Sequence, residues 1–344
     1  MGKKASSSPT SRVDLRQIAK RTKLSVATVS RAINRVPSVD PVMAKRVWKM
    51  ADKLGYFPNT QARALVSGKS RIFGLIVSEI GNPFFTELIH RFEEVAIEFG
   101  YEIFLIPRVI NESQTELAVK RVMERRVDGV AVLTFRGEDS IVAQLREQNI
   151  PSIFVDTSQS SPVEESISVN YQSGIRQAIE HLAARQHRKI GFINGPLHLQ
   201  SAQSKKTAFE DCMRSLHLQL IPEFLVTGDD TIRGGIRALA SIVDGVDRPS
   251  AIMCSNDLTA IGVMHEAFNR GISIPKDLSI IGFDNISLAE FTIPPLTSVQ
   301  IPQALLAEHA FHALRSSVEN RPSKRFEILT NLVSRKSTSF ALSN

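Results

Sequence analysis

The chain has 344 residues, 42% of them hydrophobic and 22% charged, a composition that excludes a disordered polypeptide and leaves room for two or three globular domains. Only two cysteines, Cys212 and Cys254, are present, far apart, which excludes a disulfide framework and a paired-cysteine metal site and fits a reducing cytoplasm. Charge divides the chain: residues 1–71 hold 16 Lys and Arg against 3 Asp and Glu, net +13, whereas residues 72–344 hold 26 against 32, net −6. A basic module ahead of a mildly acidic body points to a polyanionic partner, because clustered Lys and Arg neutralise phosphates and release counterions.

Residues 1–11 read as a disordered basic tail; no apolar run follows Lys3 and Lys4, so no secretory signal is expected. No uncharged stretch approaches the length of a membrane span, so the expected protein is soluble and cytoplasmic, with no membrane partner. Residues 13–54 predict three short helices. The first, over 15–21, places Leu15, Ile18 and Ala19 on one face. After a turn at 22–24, Ser25 caps a second helix in which Val29, Ala32 and Ile33 point inward, leaving Val26, Ala27, Ser30 and Arg31 on or near the outer face. Asp40-Pro41 opens a third helix that buries Val42, Val47, Met50 and Leu54 and stops at Gly55. Two short helices joined by a tight turn, with a third as buttress, make the helix-turn-helix plan. On periodicity alone a plain three-helix packing module stays open.

Residue identities narrow that choice. The segments 13–20 (VDLRQIAK), 24–34 (LSVATVSRAIN) and 54–59 (LGYFPN) closely resemble the DNA-binding domain of the lac repressor family, and the resemblance continues to about residue 340. It implies a fold with an all-α helix-turn-helix domain and hinge helix (12–68, hinge about 59–67). An α/β body over 70–340 follows, two subdomains of doubly wound parallel sheet like those of periplasmic binding proteins. The first subdomain would take about 70–169 and 301–330, the second about 170–300 and 331–340, with crossovers near 169, 300 and 330. In that family the second helix enters the major groove. By position Val26, Ala27 and Arg31 would meet base edges, Arg31 as a fork on guanine and the small residues as apolar contacts. Ser25, Thr28 and Ser30 suit phosphate or capping roles. Asn59 would cap the hinge helix, Ala62 would lie close to the minor groove, and Leu65 matches the family's wedge at a central base step. A plain linker is the other reading of that segment. Gly68-Lys69-Ser70 ends like a phosphate loop, but Arg63 stands where its first glycine belongs.

From residue 72 short apolar runs alternate with helical stretches: 72–77, 84–99, 103–106, 113–124, 129–133, 140–148 and 152–155, then 167–169, 174–185, 190–193, 204–216, 251–254, 257–270 and 279–281. Strand–helix alternation predicts parallel sheets with helices on both faces, and ligand at the carboxyl ends of the strands. The resemblance places Asn82, Phe84 and Phe85 on the cleft wall, with Asp156, Asn256 and Asp284 at strand ends where carboxylates and amides suit sugar hydroxyls. Asp257 is expected to cap the following helix. Two departures stand out: Lys205 lies where relatives carry an effector-binding arginine, and Asp230 where several carry a stacking aromatic. They suggest a smaller, acyclic or anionic sugar derivative, with a solvated Lys205 as the other reading.

No catalytic serine, metalloprotease or dinucleotide motif is present. His309 and His312 share a helix face without a third ligand, so neither an enzyme, a metal nor a cofactor is expected. The expectation is a homodimeric repressor, with a tetramer left open, that binds a palindromic double-stranded operator under control of a small polar metabolite. A regulator controlled by a protein corepressor, and a stand-alone sugar-binding protein, are the competing readings.

Overall fold

The computed structural model of the chain describes residues 13–34, 38–56, 69–77, 80–106, 112–133, 139–155, 166–245, 247–322 and 325–342. The chain divides into two compact units, Met1–Ser70 and Arg71–Asn344.

In the first unit each helix starts on a side-chain cap. The Asp14 carboxylate accepts from Gln17 N at the head of α1 (Leu15–Thr22), and Ser25 Oγ accepts from Thr28 N at the head of α2 (Val26–Ile33). Asp40 accepts from Met43 N at the head of α3 (Pro41–Leu54), with Pro41 at the first helical position. Such caps satisfy amides that the helix itself leaves without acceptors. Gly55, at φ 66°, ends α3 in the left-handed conformation. Ile18, Ala19, Val29, Ala32, Ile33, Val47 and Ala51 form the core. Trp48 Nε1 donates to Ala32 O (3.2 Å) and Arg46 Nη2 to Thr22 O (2.9 Å), tying α3 to the other two helices. Val42, expected in this core, is 77% exposed. At 100° per residue it lies about 140° round the helix from Val47, off the stripe that Val47, Ala51 and Leu54 define.

The second unit has two lobes. The first is entered by β1 (Ile72–Val77), α4 (Pro83–Glu98), β2 (Glu102–Ile106), α5 (Glu112–Arg125), β3 (Gly129–Leu133), α6 (Asp139–Glu147), β4 (Ser152–Val155) and β5 (Ser166–Asn170). The chain then builds the second lobe from α7 (Tyr171–Ala184), β6 (Ile190–Asn194), α8 (Gln200–Ser215), β7 (Leu225–Thr227), α9 (Ile232–Val243), β8 (Ala251–Cys254), α10 (Asp257–Asn269), β9 (Ser279–Asp284) and β10 (Thr297–Gln300). It returns for α11 (Gln303–Val318), which packs on α4, β3 and β4, and for β11 (Phe326–Leu329), then ends in the second sheet with β12 (Asn331–Val333).

The strand orders, β11-β5-β4-β3-β1-β2 and β12-β10-β9-β8-β6-β7, are the same pattern twice. All pairings are parallel except β10 with β12. The central strands are buried on both faces and read as nearly continuous apolar runs, as in β3 (GVAVL) and β8 (AIMC), whereas the edge strands β2, β7, β11 and β12 are partly exposed. In each sheet the winding reverses beside the first-entered strand, β1 or β6, and that is where an open α/β sheet forms a ligand crevice.

Thr330, between β11 and β12, is buried and fastens two of the passages between lobes. Its Oγ1 donates to Asn170 O (2.7 Å) and accepts from Gly174 N (2.8 Å), while its backbone N donates to Ser173 Oγ (2.9 Å). A side chain at Gly174 would strike Thr330 and Val299, so only glycine lets these segments meet.

Candidate DNA-reading face and ligand cleft

In α2 the cap decides which residues are presented. Ser25 Oγ accepts from Thr28 N at 3.0 Å and shares a hydroxyl–hydroxyl hydrogen bond with Thr28 at 2.8 Å, so both hydroxyls are engaged at the helix head. Val26 and Ala27 then occupy the exposed first turn, and Val26 is 44% exposed although it is a large apolar side chain. Arg31 follows on the same face, exposed, with Nε turned toward Ala27 O at 3.4 Å. Ser30 is half-buried, near Asn34 Nδ2 at 3.4 Å. Val29, Ala32 and Ile33 hold the opposite face in the core. Arg16, Lys20, Arg21, Lys23, Lys45, Lys49 and Lys53 of the same unit are exposed, side chains suited to phosphates. Asn59, Ala62 and Leu65 lie outside the described residues.

On the first lobe, Asn82 Oδ1 caps α4 by accepting from Phe84 N at 3.0 Å. Phe84 and Phe85 are buried in the hydrophobic core, ring edge to ring face at 5.4 Å. Asp156 lies outside the described residues. One turn into α4, Glu87 Oε1 accepts from Ser287 N of the second lobe at 2.9 Å.

The strand ends of the second lobe gather the remaining candidates. Lys205 is buried: Nζ donates to Ser255 O at 2.8 Å, stands 4.0 Å from Asp284 Oδ1, and sits over the rings of Phe283 (4.1 Å) and Tyr171 (5.2 Å). The reading of Lys205 as a solvated charge is therefore corrected; α8 packs that face inward. Ser255 Oγ donates to Asp230 Oδ1 at 2.6 Å, and Asn256 Nδ2 donates to Asp230 O at 2.9 Å. Asp230 lies over Gly195, where a side chain would collide with its carboxylate.

The helix cap expected of Asp257 falls to Asn256. Asn256 Oδ1 caps α10 by accepting from Thr259 N at 2.8 Å. Asp257, fully buried, instead accepts from Ile286 N (2.8 Å) and Ser298 Oγ (2.6 Å), bracing the segment after β9. Burial, with Asp284 nearby, pushes its carboxyl well above the usual range. On that brace Asp284 and Asn285 keep left-handed backbones, φ 96° and 54°, and Asp230 does so at 60°. Each such conformation costs about 1–3 kcal/mol and persists only where surroundings hold it, which is common at binding sites. The Asp284 carboxyl is pushed up to about 7, by burial first and lowered by Lys205, with Asp230 and Glu87 adding upward pressure.

The structure thus brings Lys205, Asn256 and Asp284 into one network with Asp230 and Ser255. Glu87 and Ser255 were passed over in the sequence reading. Ser255 directly precedes the strand-end Asn256, a usable signal, but Glu87 meets Ser287 across 200 residues and no local pattern marks it. Among the described residues no three His, Cys, Asp or Glu side chains group as a metal site, and no helix is long and apolar enough to cross a membrane.

Comparison with known proteins supplies the kinship. Residues 14–59 match the family model for bacterial regulatory proteins of the lacI family, and residues 179–338 match a periplasmic binding protein-like domain. The chain is 31% identical over 291 residues to catabolite control protein A of Priestia megaterium, covering 84% of this chain and 88% of that one. It is 30% identical over 328 residues to the HTH-type transcriptional repressor PurR of Klebsiella pneumoniae, covering 94% and 96%. A crystal structure of the lac repressor dimer bound to operator and the anti-inducer ONPF superposes with a TM-score of 0.83 at 24% identity, over 95% of this chain and 99% of that one. With a basic helix-turn-helix unit ahead of a twice-repeated α/β body, the chain belongs to the lacI family of bacterial regulatory proteins.

Proposed function

We propose that the protein is a sequence-specific repressor of carbohydrate or related metabolic genes, acting in the cytoplasm as a homodimer on a palindromic operator. A small polar metabolite in the cleft between its lobes sets operator affinity, and the chain performs no catalysis. The observation that carries this reading is the α2 face: Val26 and Ala27 uncovered beside Arg31, on a helix whose cap is already satisfied, in a stretch of net charge +13 over residues 1–71. An exposed valine has no packing role there, whereas beside a guanidinium fork it suits a base edge. Leu288, Phe291 and Ile293 are exposed on one short segment (48%, 78% and 96%), an apolar surface that supports pairing with a second copy.

Asp230, Asn256, Asp284 and Lys205 would recognise the metabolite. By linkage, a ligand that prefers one arrangement of the lobes changes operator affinity by its differential affinity for the two arrangements. Selection of bound sequences from random DNA should return a palindrome of about 14–20 base pairs, with affinity falling steeply as salt rises. A nearly flat plot of log affinity against log salt would sink the proposal.

A further inference from the structure

The chemistry of the cleft floor specifies a kind of ligand. Lys205 stands where an anion would be expected to anchor, yet its ammonium is held from below: one of its three donors goes to Ser255 O, the charge rests on the Phe283 ring, and the side chain is 10% exposed. Asp284 is the reverse. Its side chain is 6% exposed and, among the described residues, no donor hydrogen-bonds to it; Lys205 Nζ, at 4.0 Å, is beyond that reach. Asp230 and Glu87 lie close enough to disfavour a second negative charge there. Among the described residues, the charges that act on Asp284 are one ammonium, Lys205, and two carboxylates, Asp230 and Glu87, and no donor reaches it within hydrogen-bond distance. A buried carboxylate without donors is costly, and a ligand that supplies them recovers that cost. A neutral hydroxyl supplies a donor alone. A protonated amine supplies donors and the missing charge, whereas a phosphate or carboxylate group adds to the repulsion.

We propose that the ligand of this cleft carries a protonated amine beside its hydroxyls, as an amino sugar or amino alcohol does, and that the amine rests against Asp284 with Asp230 as its second acceptor. This rests on the cleft being the regulatory site. It also replaces the anionic effector suggested by Lys205 in the sequence: that lysine serves as a fixed counter-charge.

Two-carbon probes avoid any question of sugar stereochemistry, since ethanolamine, ethylene glycol and glycolate differ chiefly in charge. The full-length protein, labelled with ¹³C at aspartate carboxyls, is titrated with each, and Asp284→Asn identifies the Asp284 resonance. Ethanolamine should move that resonance saturably, at a half-saturating concentration about tenfold below that of ethylene glycol, the margin of a charge-assisted over a neutral hydrogen bond. Glycolate should leave it in place. Ethylene glycol or glycolate matching ethanolamine, or ethanolamine without a saturable effect, overturns the proposal. The regulatory cleft itself fails by a different result: metabolites that alter operator affinity would do so undiminished in Asp284→Asn and Asn256→Ala.

Discussion

Asp284→Asn should make the second unit more stable at neutral and alkaline pH, a counter-intuitive outcome for a residue facing a lysine. The Asp284 carboxyl is pushed up to about 7 from an ordinary 3.8, chiefly by burial. Between those values the folded protein holds the proton that the unfolded chain releases, so stability falls as pH rises from about 4 to 7. A rise of roughly three units at 1.36 kcal/mol each amounts to about 4 kcal/mol of stability lost across that interval. Asparagine keeps the shape without the charge and avoids the loss, while Lys205 retains Ser255 O and the Phe283 ring. Guanidinium unfolding followed by far-ultraviolet circular dichroism suits the α/β unit, because the single tryptophan, Trp48, lies in the other one. The variant should match the parent near pH 4 and exceed it by about 2–4 kcal/mol near pH 8. Asp257 is also raised, by burial first and by Asp284 second, so removing the Asp284 charge relieves both carboxyls and the difference reports the two together. A variant less stable than the parent near pH 8 would refute the reasoning and make the Lys205 pairing the stronger effect.

Arg31→Ala should cost about 1–3 kcal/mol on the specific operator and relax base preference at one symmetric pair of positions; an unchanged preference profile would assign Arg31 to phosphate. Asn256→Ala should lose about 1 kcal/mol of stability through the α10 cap, while Asn256→Ser keeps a capping oxygen and most of that stability. If Asn256 also meets ligand, both variants should lose metabolite response, and denaturation paired with operator titration separates the two effects. Gly262→Ala should destabilise by about 1–3 kcal/mol or more, because the added methyl would run into the Ile232 carbonyl where α9 and α10 pack, and a melting curve would register it.

Local chemistry was the legible part of the fold. Ser25, Asp40-Pro41 and Gly55 act within their own turns, so their capping roles follow from neighbouring residues, and the apolar strands of a parallel sheet announce themselves as runs. Val42 misled because an apolar residue near a helix start counts as core only if it falls on the stripe. α9 escaped notice because its sequence carries Gly234 and Gly235, which weaken a helical reading; Gly235 is there to let α10 approach, since a side chain would strike Thr259 O. At the cleft, the positions Asn256 and Asp284 were legible as strand ends. The division of labour between Asn256 and Asp257 was not, because either side chain caps a helix equally well until Ser298, 41 residues away, claims the carboxylate. Burial of Lys205 and the reach of Glu87 to Ser287 are likewise tertiary facts without a local signature.

The knot of hydrogen bonds at Thr330 bears on how the two lobes can move. The chain passes between lobes after β5, after β10 and again between β11 and β12. Three independent flexible strands would let one lobe twist, slide or splay against the other, and a ligand pulling on one wall could be answered in many ways. Thr330 pins the first and third passages into a single unit through Asn170, Ser173 and Gly174. With two of three pins bolted together the joint should behave like a door on its post, favouring a swing over shear. Such a joint would turn an event in the crevice into one angular coordinate between the lobes. Cutting the bolt, as Thr330→Val would by removing the hydroxyl while keeping the volume, should loosen the gearing between ligand and operator before it loosens the fold.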